Sequence, residues 1–223
     1  MSPRPLSSQP SGHSKMPKTC PLPVKSFIGR KEILDKMSQY FNSDDKSQHV
    51  FVLHGLGGSG KSQLAFKFLE DSQAHKWCVF SKHAMNIIYR LMFYRFSDIF
   101  YIDATTQQTL EADLVAITPT NMKQSVDACK HWLATQRTQN WLLFFDNADD
   151  VQLKLANFFP KCRFGNILIT TRNPQLRMHA NQGAGAKVAD MNPEDAKCLL
   201  MQISWATKTD ENEKLAETIV KVL

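Results

Sequence analysis

The sequence predicts an α/β domain built on a parallel sheet. Apolar runs of strand length alternate with segments of helical periodicity, and a glycine-rich loop joins the first run to the helix after it. At 223 residues, with 43% hydrophobic and 22% charged residues, the chain is long enough for one substantial domain and a small further piece.

Residues 1–25 are rich in Pro, Ser and Lys and poor in large apolar side chains, which reads as a disordered leader. The folded part begins near Ser26-Phe27-Ile28-Gly29-Arg30. A helix follows from Lys31 to about Phe41, because Ile33, Leu34, Met37 and Phe41 recur at helical spacing. Val50-Phe51-Val52-Leu53 is an unbroken apolar run of the kind a strand covered on both faces shows, and a helix is predicted from Lys61 to about Glu70. Further strand-length runs lie at Ile99–Ile102, Trp141–Phe145 and Ile167–Ile169, with a weaker one at Ala186–Ala189. Helical patterns separate them at Leu110–Ile117, Met122 to about Thr138, and Val151–Phe159. Residues 192–223 read as two helices, the first capped by Asn192 with Pro193 in its first turn. The α/β domain is thus drawn over 26–190 and a small helical piece over 191–223.

Composition excludes several classes. The net charge of +6 is mild and comes in part from Arg4, Lys15, Lys18 and Lys25. No dense basic stripe marks a nucleic-acid partner. The five cysteines are scattered without CxxC spacing or a Cys/His cluster, which fits reduced thiols in the cytoplasm. Residues 1–10 lack the apolar run of a signal peptide, and the apolar stretch from Asn86 to Phe96 is short and broken by Arg90 and Arg95, so no membrane partner is expected.

Gly55-Leu56-Gly57-Gly58-Ser59-Gly60-Lys61-Ser62 matches GxxxxGK[ST]. Glycines let such a loop wrap with its N–H groups pointing inward, and the helix it opens adds its positive end. Lys61 can then reach the β- and γ-phosphates, and the Ser62 hydroxyl can ligate Mg²⁺. Chance produces such a match in on the order of one chain in a hundred of this length, and here it also sits between a strand and a helix. The run Trp141–Phe145 ends in Asp146, a carboxylate carried to a strand's C-terminal end as a Walker B segment requires. Asp149 and Asp150 follow and read as caps of the next helix. Thr170-Thr171-Arg172 closes another strand and sets hydroxyls and a guanidinium at the edge where open α/β sheets bind ligands.

Together these segments resemble the NB-ARC family of signal-transducing P-loop ATPases, the STAND class, in a fungal NLR-like form. Phe27-Ile28-Gly29-Arg30 resembles the stretch that opens the domain along the adenine. Gly55 to Ser62, running on to Gln63, resembles the P-loop. Leu142 to Asp150 resembles the Walker B segment, and Gly165 to Arg172 the strand carrying the sensor arginine. Phe100-Tyr101-Ile102-Asp103-Ala104 resembles the family's second strand. The resemblance implies a three-layer P-loop NTPase fold with a five-stranded parallel sheet in the order 5-1-4-3-2, followed by the start of a small helical domain. It implies ADP or ATP with Mg²⁺. The nucleotide contacts would be Phe27, Ile28, Gly29, Arg30, Gly55, Gly57, Gly58, Ser59, Gly60, Lys61, Ser62 and Gln63. Ser62 and Asp146 would hold the metal, and Arg172 would sense the γ-phosphate. It further implies a resting ADP state, with exchange for ATP driving assembly with further copies or full-length relatives.

Three departures qualify the resemblance. Asn147 stands where many relatives carry a second acid, and an amide is no general base, so hydrolysis is expected to be slow or absent. The sequence stops before the Gly-Leu-Pro-Leu segment of relatives, which implies a truncated helical subdomain and a weaker hold on adenine. Residues 77–94 fit no family segment. We read them as a retained intron, since Trp-Cys-Val can be encoded with an internal GTGTGT donor and Tyr-Arg by a TACAGG acceptor. The alternative is a helical insertion with Ile87, Ile88, Leu91 and Met92 on one face. The leading function is a nucleotide-binding regulatory module, with at most weak ATPase activity. A P-loop phosphotransferase would need a lid with catalytic arginines, and only Arg163, Arg172 and Arg177 follow downstream. A non-functional fragment is the third reading.

Overall fold

The computed structural model describes residues 16–43, 45, 47–74, 96–136 and 140–222. The segment 77–94, read above as a retained intron or insertion, lies outside them. Five parallel strands form one sheet: β1 (His49–His54), β2 (Ile99–Asp103), β3 (Leu142–Asp146), β4 (Asn166–Thr171) and β5 (Gly185–Lys187). Their order is β2-β3-β4-β1-β5, which is 5-1-4-3-2 read from the other edge. Val50 pairs with Ile167 and Leu143 in turn pairs with Ile167 on the far side, so β4 lies between β1 and β3 in one continuous register.

Side chains alternate across a strand, and the alternation divides the core in two. Phe51, Leu53, Phe144 and Leu168 face a layer made by α1 (Lys31–Phe41) and α2 (Lys61–Ala74), through Met37, Phe41, Leu64 and Phe68. Val50, Val52, Leu143, Phe145, Ile167 and Ile169 face α3 (Gln107–Ala116) and α4 (Val126–Thr135), through Leu110, Leu114, Cys129 and Leu133. The helices start where side chains satisfy the first N–H groups. Thr106 and Thr109 form a reciprocal capping pair at α3, and Ser125 caps α4.

The chain closes with α5 (Pro193–Ile203) and α6 (Asp210–Val222). Asn192 caps α5 by accepting from the Asp195 N–H at 2.8 Å, with Pro193 in the first turn, as the sequence predicts. Lys197 on α5 pairs with Glu217 on α6 at 3.0 Å.

Several boundaries differ from expectation. The helix predicted over Val151–Phe159 is a turn followed by a 3-10 segment, Leu155–Phe158. Its buried apolar residues, Leu153, Leu155 and Phe158, do not repeat at the spacing of one helix face, and Asp150 draws the chain into a turn by accepting from Gln152. The helix predicted from Met122 starts at Val126, because the Gln124 amide caps carbonyls of Pro119 and Met122 first. Of the predicted leader, residues 1–15 lie outside the described residues. From Lys18 onward the chain is tied to the domain. Lys18 reaches Asp113 at 2.9 Å and Asp103 at 3.5 Å, and Cys20 packs on the core, where burial pushes its thiol up to about 12. Low apolar content signals disorder only where no ion pairs anchor the segment.

Trp141 shows why the sheet's lower edge is closely specified. It is fully buried, donates from Nε1 to the Leu133 carbonyl at 3.1 Å, and lies flat over Gly165. Gly165 has φ +90°, and a Cβ there would run into the indole. We therefore expect Gly165→Ala to destabilise the fold by about 2–4 kcal/mol through combined backbone strain and overpacking. Urea denaturation measures it; a change under about 0.5 kcal/mol, the level of an ordinary surface substitution, would contradict this packing.

Candidate functional site

The site lies at the C-terminal ends of the strands, where the apolar pattern of the sheet gives way to polar residues. At the end of β1 the chain turns so tightly against Val188 that a Cβ on Gly55 would strike the Val188 carbonyl. The loop continues through Gly58 (φ +78°) and Gly60 (φ +86°), whose Cβ positions face open space, and enters α2 with the Leu64 N–H donating to the Gly60 carbonyl at 2.9 Å. The result is a hollow lined by backbone at a helix start, a geometry suited to anions. Lys61 folds back over it, donating from Nζ to the carbonyls of Leu56 at 2.7 Å and Gly55 at 3.1 Å. Burial lowers the Lys61 pKa, with Asp149 opposing, Arg172 adding to the effect and Asp146 opposing. Ser59 Oγ is buried in the same loop and has no hydrogen-bond partner among the described residues.

Asp146, at the end of β3, is 2% exposed. Its Oδ1 accepts from Ser62 at 2.7 Å and from Thr170 of β4. Its Oδ2 accepts from Tyr101 of β2 at 3.3 Å and from the Asn147 amide at 3.4 Å. Burial and the neighbouring Asp146 carboxylate raise the Tyr101 pKa, so its hydroxyl stays a donor. Asn147 itself adopts φ +58° and donates its N–H to Thr170 Oγ1 at 2.9 Å.

Arg172 projects over Gly57, its Cζ 3.3 Å from where a Cβ would stand. Asp149 holds it there, and this overturns the expectation that Asp149 caps a helix. No α-helix starts directly after Asp149, where a turn and a 3-10 segment follow, and its carboxylate accepts from the Arg172 N–H and pairs with Arg172 Nε instead.

A cavity of about 450 Å³ opens on the other side of the loop. Gly29 (φ +77°) and Arg30 (φ +60°) turn the chain under it, and the Asp195 side chain packs closely on Gly29, whose positive φ favours glycine. The Arg30 guanidinium then bridges the carbonyls of Asp190 at 3.2 Å and Ser59 at 3.3 Å. Gln63 accepts from the Val24 N–H at 2.9 Å.

Of the residues singled out from sequence, Phe27, Ile28, Arg30, Gly58, Ser59, Gly60 and Gln63 line this cavity. Gly29 supports it from outside, against Asp195. Gly55, Gly57, Lys61, Ser62, Asp146 and Arg172 gather at the adjoining anion hollow. Sequence reasoning missed the wall opposite, Met191, Ala196, Leu199 and Val220, and the hydroxyl of Tyr101. The i, i+3 spacing of Ala196 and Leu199 was the available signal for one face of α5.

A five-stranded parallel sheet with this loop between β1 and its helix defines a P-loop NTPase fold. The NB-ARC domain family model matches residues 30–210, and the chain belongs to that family. A nucleotide-binding leucine-rich repeat (NLR)-like protein of Hyaloscypha variabilis is 24% identical over 200 residues, covering 78% of this chain and 18% of the relative. The chain therefore spans less than a fifth of that relative's length. Among solved structures it is similar to the Drosophila ORC bound to DNA, with a TM-score of 0.59, 11% identity and coverage of 100% of this chain and 60% of that one. It is also similar to a STAND protein with a tetratricopeptide repeat sensor from Pyrococcus horikoshii, with a TM-score of 0.48, 19% identity and coverage of 93% and 29%. Among the described residues no helix is long and apolar enough to cross a membrane.

His54 ends β1 directly before the loop. Burial lowers its pKa, and the nearby cations Arg177, Lys187 and Lys61 push the same way. Its folded pKa thus lies below its unfolded value, so the unfolded chain binds more protons as the pH falls through 6.5. The His54 contribution is present above that pH and lost below it; burial sets His49 and His179 in the same direction. We expect the urea midpoint to fall between about pH 7.5 and 5.5, and His54→Gln to shrink that fall. An unchanged pH slope in the variant would contradict a neutral His54.

Proposed function

We propose that this chain is an adenine-nucleotide binding module, taking ADP or ATP with Mg²⁺, and that it serves regulation rather than turnover. One observation carries the reading. The 450 Å³ cavity, within the usual size of ligand pockets, shares the phosphate loop with the anion hollow, since Gly58, Ser59 and Gly60 are part of its lining. An apolar chamber for a base thus borders a nest for phosphates on the same loop. Phe27, Ile28, Met191 and Leu199 offer the apolar wall. Gly55, Gly57 and the positive end of α2 face the phosphates, and Ser59 Oγ, buried without a partner, gains one when phosphate oxygens arrive.

The metal fits the chemistry of Ser62 and Asp146. A hydroxyl and a carboxylate 2.7 Å apart offer hard oxygen ligands, and Mg²⁺ fills its shell with phosphate oxygens and water rather than with a protein cage. No cluster of three or more His, Cys, Asp or Glu side chains suited to a metal exists among the described residues. When bound, the metal would neutralise phosphate charge, with Ser62 and Asp146 as the residues that would hold it. Arg172 lies above the loop at the end away from the base cavity, on the side a third phosphate would enter. The free thiols of Cys20, Cys129, Cys162 and Cys198 fit a reducing, cytoplasmic setting. Assembly with further copies or longer relatives belongs to the same proposal, on the strength of the family.

The test is nucleotide content. Denaturing the purified chain should release roughly stoichiometric ADP or ATP, and Lys61→Ala should lower affinity at least about tenfold by removing a charge-assisted contact. A chain that is empty and takes up neither added nucleotide would refute the proposal.

Slow hydrolysis follows from Asn147, the residue beside Asp146 that cannot accept a proton. Asn147→Asp keeps a residue type that tolerates φ +58° and supplies a base. Phosphate release should rise about tenfold or more; a wild-type chain already turning over as fast as the variant would remove Asn147 as the cause.

A further inference from the structure

Asp149 and Arg172 leave neighbouring strands at the same edge, Asp149 beyond the end of β3 and Arg172 directly after β4. One carboxylate grips the arginine at two points. Asp149 Oδ1 accepts from the Arg172 backbone N–H at 2.6 Å, and Oδ2 stands 2.8 Å from Nε. The contact uses the inner nitrogen of the guanidinium, so the outer Nη groups keep their donors for another acceptor. Those groups lie over the phosphate loop, with Nη1 3.4 Å from a Cβ placed on Gly57.

Burial does not hold this arginine in place. Its side chain is 67% exposed, whereas that of Asp149 is 28% exposed. A long exposed side chain without a partner samples many rotamers, and an exposed ion pair contributes little to folding. What the pair supplies is direction. It also moderates charge, because Lys61 lies close by: Arg172 alone would disfavour the Lys61 ammonium, and Asp149 offsets that.

We propose that Asp149 is a positioning residue, which holds Arg172 across the phosphate loop and thereby sets how strongly the site prefers a nucleoside triphosphate over a diphosphate. The inference rests on the proposed nucleotide function and deepens it. The guanidinium lies over Gly57, outside the lining of the base cavity, so on the proposed function it would meet the third phosphate and leave contacts to the first two unchanged. Asp149→Asn isolates this role. The asparagine oxygen still accepts from the Arg172 backbone N–H and keeps the turn, while its amide N–H₂ faces Nε with a donor and releases the side chain.

The experiment measures dissociation constants of ADP and ATP, with Mg²⁺, for the full chain as wild type, Asp149→Asn, Arg172→Ala and the double variant. The ratio Kd(ADP)/Kd(ATP) should fall about fivefold or more in each single variant, while ADP affinity stays within about twofold. The double variant should fall no further, because both changes remove one device. Asp149→Glu should recover part of the ratio. A purely structural Asp149 would instead weaken both nucleotides alike. If Arg172→Ala lowers the ratio and Asp149→Asn does not, or if the two effects multiply, the inference is overturned and the proposed function stands. If Arg172→Ala leaves the ratio unchanged, the sensing role of Arg172 falls and the inference falls with it. A chain that binds neither nucleotide refutes the proposed function itself.

Discussion

A carboxylate removed from water must collect hydrogen bonds or become neutral, and the site is arranged around that constraint at Asp146. With 2% of its surface exposed, it takes donors from Ser62 on α2, Thr170 on β4, Tyr101 on β2 and Asn147 beside it. Three adjacent strands and the phosphate-loop helix therefore share one acceptor. Because β3 lies between β2 and β4 in the sheet, a residue at its end can be reached from both sides. The strand order that packs the core is thus also what gathers the donors.

The same edge marks where apolar burial ends. Along β4, Ile167 and Ile169 enter one core layer and Leu168 the other, and then Thr170 and Thr171 turn to hydrogen bonding with Asp146 and the Ala148 carbonyl. Along β1, Leu53 is the last core residue, and His54 and Gly55 follow against Val188. Each strand delivers its polar residues to one line because the parallel register is continuous. Glycine is required at Gly55, where a Cβ would strike the Val188 carbonyl, and it is favoured at Gly29 by a φ of +77° beside the Asp195 side chain.

This division explains what the sequence made legible. The strands could be read because both faces are buried and the runs are unbroken, and the loop could be read because its spacing follows from phosphate geometry. Phe27 to Arg30 came from family resemblance, and the structure brings Phe27, Ile28 and Arg30 to the cavity that Gly58 to Gly60 also line. The fate of Asp149 was not legible. An acid after a strand has the same local pattern whether it caps a helix or meets an arginine from the next strand, and only the register of β3 with β4 decides between them. The Val151–Phe159 segment failed for a related reason, since tertiary packing of Leu153, Leu155 and Phe158 overrode helical propensity. The leader from Lys18 to Val24 is held by long-range partners that composition does not register.

The cavity wall has an energetic consequence that follows from how little holds it. The helix pair α5–α6 buries only Ala216 among its residues and leaves Ile203, Trp205, Leu215 and Val222 well exposed. Beside it, Asp195 of α5 packs on Gly29, and Arg30 bridges the carbonyls of Asp190, just before α5, and Ser59 of the phosphate loop. Those contacts ring the cavity whose far wall is Ala196, Leu199 and Val220. A ligand filling that space touches both parts at once, so its binding energy adds directly to their association. A site occupied at about a hundred times its dissociation constant adds about 2.7 kcal/mol to the state that binds. For a helix pair with one buried residue, that is large beside the packing it already has, whereas for the sheet with its two core layers it is a small increment. On the proposed function, nucleotide acts chiefly on the position of α5 and α6 and much less on the P-loop domain beneath them.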